Sequence, residues 1–322
     1  MKRTFAALVT AGALMAVAAP AMAEWPNDKP IRVLVGFGPG GGTDIVTRII
    51  APPLSELLHQ TVVVENKPGA GGSIASGEVA RADKDGYTAS MISAGHTVSA
   101  VMIKSVRYDA VKDFAPVALV AQGAFVIVAR KDFPANDIKG LVALAKASPG
   151  KLNFASVGLG STQHFAGELL RQSTGIDVKH IPYRGTPGVV AALLAGEVDY
   201  AVELVHAVQG QVQAGQLKLL AVGTTERWPT IPNVPTVAES GVPGYSVISW
   251  YGWVYPAGTP QAIVDKTNAA LNQILARPEI KEQMAKVGAA VRVSTAADFG
   301  KYMADEVAKW KAVRDKAGLE PQ

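Results

Sequence analysis

Between residues 31 and 222, short runs rich in Val, Ile and Ala alternate with stretches whose apolar positions recur at helical spacing. The pattern predicts strands at 31–35, 61–65, 87–93, 125–129, 152–156, 178–181, 198–203 and 217–222. Between them it predicts helices at 45–58, 138–147, 162–172 and 189–194 and near 207–214, with a Gly-His-Thr turn and a short helix after residue 93. The last third ends in helical patterns at 261–275 and 297–316, separated by a short strand near 290–293. Strands alternating with helices imply an α/β protein whose sheets are mostly parallel, with helices on both faces. Neither a fixed-period repeat nor a low-complexity linker interrupts the pattern.

The beginning of the chain departs from this rhythm. Met1-Lys2-Arg3 is basic, residues 5–19 are apolar, and Ala21-Met22-Ala23 has a small residue on each side of a spacer. Such an apolar stretch is too short to span a bilayer and has the flanks of a secretory signal, so 1–23 is read as a signal peptide cleaved after Ala23. Cleavage removes Lys2 and Arg3, lowering a formal charge that stands at +4 for the whole chain. No basic stripe interleaved with aromatics then points to nucleic acid. With 322 residues, 48% of them hydrophobic, the chain can fill about two domains of roughly 100–200 residues, and disorder is excluded. Zero cysteines exclude disulfides, thiolate metal sites and a cysteine nucleophile.

Enzyme signatures are sparse. The five histidines show no H-x-x-x-H pair, and neither a G-x-S-x-G elbow nor a Walker A lysine is present. Gly36-Phe37-Gly38-Pro39-Gly40-Gly41 literally matches the dinucleotide fingerprint G-x-G-x-x-G, with Glu65 at the end of the next strand where a ribose-binding acid would sit. Pro39 stiffens that turn, and an exported chain crosses the membrane without a bound nucleotide, so no cofactor and no metal is expected.

A second feature recurs. Glycine-rich turns lead into helices at 38–44, at 156–164 with Ser161 as N-cap, and at 184–187 with Thr186 as N-cap and Pro187 in the first turn. Glycines before a helix start let backbone N–H groups approach an anion, and the helix end adds about half a positive charge. Neither of the first two loops carries Lys or Arg. Such turns also occur in α/β proteins that bind no anion, so the spacing leaves both readings open.

Dispersed motifs bring in a resemblance. The stretches 62–72 (VVVENKPGAGG), 85–88 (DGYT), 111–117 (VKDFAPV), 149–156 (PGKLNFAS), 164–169 (HFAGEL), 182–185 (PYRG), 196–199 (GEVD), 234–245 (VPTVAESGVPGY) and 256–260 (PAGTP) run in order along nearly the whole mature chain. They resemble the extracytoplasmic solute receptors of tripartite tricarboxylate transporters, the Bug receptors. The resemblance implies a periplasmic, two-domain Venus-flytrap fold. One domain would combine 24–126 with 226–322 and the other would be 127–225. It also implies a small carboxylate ligand, a dicarboxylate or an aromatic carboxylate, delivered by a monomer to membrane permease subunits.

Carried over position by position, Phe37 would cover the ligand, while Gly41, Gly42 and Thr43 would offer amides. Asp44 would hold a water or a helix-start amide. From the span 156–164, Ser156, Ser161, Thr162 and Gln163 would face the ligand from the other lobe, and His164 would donate to a distal carboxylate or orient its loop. His96 lies beyond a strand's carboxyl end, where ligands collect in open α/β sheets, or belongs to a structural turn. Arg184, next to Gly185, would pair with a second carboxylate or form an ion pair between lobes, and Glu203 stands where many relatives carry Asp. Trp250, Tyr251 and Trp253 are expected to pack the crossover region. Two other classes stay open: an exported enzyme using His96, His164 or Asp44 as acid or base, and a receptor lobe that signals to a sensor.

Overall fold

The computed structural model describes residues 25–321. The signal-peptide reading therefore lies outside the described residues.

The chain begins as a βαβ series: β1 (Ile31–Val35), α1 (Gly42–Leu58), β2 (Val62–Asn66), α2 (Ser73–Ala80), β3 (Thr88–Ser93) and α3 (Ala94–Met102). A 17-residue strand, β4 (Phe114–Arg130), leads into a second series. This comprises α4 (Ile138–Ala147), β5 (Asn153–Ser156), α5 (Thr162–Thr174), β6 (Lys179–Pro182), α6 (Thr186–Ala195), β7 (Tyr200–Leu204), α7 (Val205–Gln213) and β8 (Leu217–Val222). The chain returns through β9 (Ile248–Pro256) and closes with α8 (Gln261–Ala276), α9 (Pro278–Lys286), β10 (Ala289–Val291) and α10 (Ala296–Ala317).

The strand order is β2-β1-β3-β9-β4-β7-β5-β6, with β8 and β10 also pairing with β4. Parallel pairing, expected for most of the sheet, is confined to the two ends: β1 runs parallel with β2 and β3, and β5 with β6 and β7. Every pairing of β4 and β9 is antiparallel. Those two strands carry the chain from one βαβ series to the other and back, so they run against their neighbours. The first part of β4 pairs with β9 and β10, and from Phe125 onward it pairs with β7 and β8.

Sequence reading caught only 125–129 of β4 because Pro116 and Gly123 interrupt its amino-terminal half, and the register there shifts near Pro116 and Leu119. It took the aromatic run of β9 only as packing. Trp250 and Trp253 are indeed fully buried, but on a strand beside β4. The predicted Gly-His-Thr turn is instead the first turn of α3, which starts directly at Ala94.

Two large cores flank the sheet. One joins Val33 and Val46 to Leu271 and Ile274; the other joins Ile127, Phe154, Phe165 and Tyr200 to Val98 and Trp310. Because α3 and α10 contribute to the second core, the two series are tied together behind the strands that cross between them.

Candidate functional site

The loop after β1 enters α1 through Gly40, whose φ of +79° suits only a residue without a Cβ. Gly41 is the N-cap and, lacking a side chain, caps nothing, so the amides of Gly42 and Thr43 find no acceptor in their own helix. Asp44 braces the turn from within: its Oδ2 accepts the Gly40 amide at 2.9 Å, and its Oδ1 accepts from Arg48 Nε at 2.9 Å and Asn66 Nδ2 at 2.8 Å. Burial alone would raise the Asp44 carboxyl, but the bonds from Arg48, Gly40 and Asn66 outweigh it and hold the group below its ordinary range. Asp44 is therefore an ionised strut beneath the loop, spent on protein donors.

The loop after β5 repeats this geometry. Gly160 has φ +72°, and its amide donates to Nδ1 of His164 four residues on, at 3.2 Å. The N-caps superpose in dihedral terms, with Gly41 at φ −73°, ψ 159° and Ser161 at φ −74°, ψ 159°. Each N-cap amide bonds the carbonyl three residues back, Gly38 or Gly158, at 3.2 Å. Ser161 Oγ accepts the His164 amide at 3.1 Å, as the predicted cap requires, which leaves Thr162 and Gln163 as the uncapped amides of α5.

His164 accepts at Nδ1, so its proton sits on Nε2. Burial, together with neighbouring His180 and Arg171, pushes its pKa down to about 3, and its ring stacks on His180 at 4.0 Å. The bond from Gly160 is the geometry that the loop-orienting role needs.

Both loops line one cavity of about 500 Å3. Phe37, Gly41, Gly42 and Thr43 lie on one side, and Ser161, Thr162, Gln163, Gly185 and Thr186 on the other. These are residues at the carboxyl ends of β1, β5 and β6, where ligands settle in open α/β sheets. The lining also includes Ser93 at the end of β3, Gly95, Ser99 and Met102 on α3, and Ser249 and Tyr251 on β9. A Cβ placed on Gly42 would lie 2.5 Å from the Tyr251 hydroxyl, so this helix start has room only for glycine. Among the described residues, no Lys, Arg, Asp, Glu or His lines the cavity. An anion there would meet amides, hydroxyls and two helix dipoles.

Six expected residues do not line it. Besides Asp44 and His164, Ser156 is buried, with Oγ 2.7 Å from His180 Nε2 and accepting the Gly158 amide at 3.2 Å. His96 is enclosed between Ser76 Oγ and the Ala110 carbonyl, both at 2.9 Å, and burial pushes its pKa down to about 4. Starting α3 at Ala94 places His96 on the face packed against Phe114. Arg184 is exposed, forming no ion pair with the described residues. Glu203 is fully buried behind Thr186, whose Oγ1 lies 3.0 Å from its Oε2. Thr186 is not the N-cap of α6, which is Gly185. Glu65, the acid of the fingerprint match, is held by Arg32 at 2.7 Å.

The turn Ala70–Gly72, α3 and β9 supply lining that sequence reasoning missed. The Gly-Ala-Gly-Gly run at 69–72 was a usable signal: its Gly71 stands against the Ser99 hydroxyl.

Residues 46–319 match the family model described as "Tripartite tricarboxylate transporter family receptor". Protein BugT of Bordetella pertussis is 34% identical over 315 residues, covering 97% of this chain and 95% of the relative. A structure of R. palustris Rpa4515 with adipate is 32% identical and aligns with a TM-score of 0.82 over 93% of this chain and 100% of the other. MatC (Rpa3494) from Rhodopseudomonas palustris, with bound malate, is 31% identical with a TM-score of 0.76 over 88% and 98%. The two-lobed periplasmic-binding-protein architecture is shared, and the chain belongs to the tripartite tricarboxylate transporter receptor family.

Proposed function

We propose that this protein is an exported receptor that captures a small carboxylate between 24–126 with 226–322 on one side and 127–225 on the other, and passes it to the membrane subunits of a tripartite transporter. The observation that carries this reading is the pair of matching helix starts, Gly41–Thr43 and Ser161–Gln163, bordering one cavity with no charged side chain in its lining. Uncapped amides and hydroxyls favour an anion while leaving release easy, as a delivery protein needs. A ligand that touches both sides only when they approach each other stabilises the closed state by its differential affinity.

The remaining lining argues about the body of the ligand. Phe37, Met102, Ile103, Phe125, Val157 and Leu204 are apolar, suiting a carboxylate with an aliphatic or aromatic body. The adipate and malate of the structural relatives fall in the same chemical class. The signal-peptide pattern of residues 1–23 supports export, and among the described residues no helix is long and apolar enough to cross a membrane.

Purified protein is screened by thermal shift and calorimetry against adipate, malate, succinate, benzoate and citrate, with phosphate and glucose as controls. A raised melting temperature with at least one carboxylate, and no product after incubation, supports the reading. Stabilisation by phosphate or glucose alone, or conversion of a carboxylate, overturns it. Amino-terminal sequencing of the exported protein checks cleavage after Ala23.

A further inference from the structure

One carboxyl group stands close to the cavity without lining it. Glu203 is fully buried at the end of β7, next to the amino-terminal ends of α5, α6 and α7. Its Oε2 shares a 3.0 Å hydrogen bond with Thr186 Oγ1, and Thr186 lines the cavity. Its Oε1 has no hydrogen-bond partner. A buried carboxylate with one bare oxygen is costly, whereas a neutral acid in the same place leaves only a weak acceptor unpaired.

The groups acting on this carboxyl are the Thr186 hydroxyl, the Leu204 amide and the Gln163 side chain, all uncharged. On the surrounding elements, burial lowers His164 of α5 and His206 of α7 from their ordinary range, so they stay neutral near pH 7, and Arg184 ahead of α6 is exposed. Val126 of β4 lies opposite Glu203 in the sheet. Among the described residues no cation therefore compensates a negative charge here, and burial, only partly opposed by those three uncharged groups, pushes the group up to about 7.

We propose that Glu203 is a positioning residue that acts on the ligand as a protonated acid through Thr186: its O–H donates to Thr186 Oγ1, leaving the threonine hydrogen free to donate to a carboxylate oxygen in the cavity. When Glu203 ionises, it can only accept, so the Thr186 hydrogen turns back to it. The cavity wall then presents lone pairs to an anion, with a negative charge behind them. Carboxylate binding is thereby coupled to one proton. The inference rests on the carboxylate-receptor reading above and names the device that tunes it.

The test is calorimetry with adipate and with benzoate at pH 6 and pH 8, each in two buffers of different ionisation enthalpy. Affinity should fall about tenfold from pH 6 to pH 8 as the acid titrates between them, with close to one proton taken up per ligand at pH 8 and almost none at pH 6. Glu203→Gln, whose amide N–H can donate to Thr186 at either pH, should lose the proton uptake and the fall in affinity between pH 6 and pH 8. Thr186→Val, which leaves Glu203 in place, should bind more weakly at pH 6 and keep only the smaller part of the pH dependence that the bare charge supplies. A wild-type affinity that is flat from pH 6 to pH 8 without proton uptake overturns this proposal alone, as does a pH dependence that survives undiminished in Glu203→Gln. Failure of adipate, benzoate and every other carboxylate of the panel to bind overturns the receptor reading and this proposal with it. Absence of proton uptake by the wild type at pH 8 overturns this proposal even if a variant does not fold.

Discussion

The amide of Gly160 donates to Nδ1 of His164 at 3.2 Å, and the amide of Gly40 donates to Asp44 Oδ2 at 2.9 Å. In both loops a side chain in the first helical turn reaches back four residues and fixes the glycine corner from inside the protein. One acceptor is an ionised acid and the other a neutral imidazole, so the shared requirement is a lone pair at that place.

This fixes the expected behaviour of His164 variants. His164→Leu removes the acceptor and leaves the half-buried Gly160 amide to find another, at a cost on the order of 1–3 kcal/mol. Carboxylate affinity, read by calorimetry, should fall roughly fivefold to a hundredfold. His164→Asn, which retains an acceptor oxygen, should recover a large part of it. Equal affinity in wild type and His164→Leu would show that this brace does not shape the site.

Gly41 has an ordinary extended backbone, and the nearest atom to a Cβ built there is the Gly38 carbonyl oxygen at 3.3 Å. Gly41→Asp should therefore fold with a near-wild-type melting temperature while abolishing carboxylate binding, because it places a negative charge at an anion-facing helix start. Unchanged affinity would remove the first loop from the site.

Ser161→Ala should lower stability by about 0.5–2 kcal/mol, because its Oγ is the side-chain cap of α5. Chemical denaturation with and without a saturating carboxylate checks this. The gap between the two variants should widen when ligand is present, since the hydroxyl also borders the cavity.

His96 gives the protein an acid-sensitive point. Unfolded, its imidazole takes a proton near 6.5; folded, burial keeps it neutral down to about 4. The stability this group contributes is present above pH 6.5 and is lost as pH falls toward 4, amounting to about 3 kcal/mol across that window. His96→Gln, whose amide can still donate to Ala110, should show a shallower fall in stability between pH 6.5 and pH 4. Identical slopes would mean that His96 is protonated in the folded state.

Much of the architecture was legible because strand and helix periods alternate cleanly from residue 31 to 222. The strands that cross between the two series were not, since Pro116, Gly123 and the aromatic crowding of β9 obscure a period of two. At the cavity, glycine spacing made the two helix-start loops readable, while the individual positions Gly41, Gly42, Thr43, Ser161, Thr162 and Gln163, which line it, came from the family resemblance. Tyr251, Ser249 and Ser99 come from segments far away in sequence, and only the pairing of β9 with β3 and β4 brings Tyr251 to Gly42. His96, in the first turn of α3 just past β3, and Ser156, at the end of β5, sit in the right part of the fold, yet their side chains are spent on buried neighbours. Sequence position locates such a residue, and only packing decides which way it faces.

The most direct measurement is a two-dimensional amide NMR titration of the folded protein with adipate and, separately, benzoate. Neutral donors from two helix starts holding one carboxylate require the amides of residues 41–43 and 161–163 to shift together, following a single saturation curve. A carboxylate that saturates while leaving both sets in place, and instead moves residues around the second cavity near Arg292 and Lys309, would contradict the account.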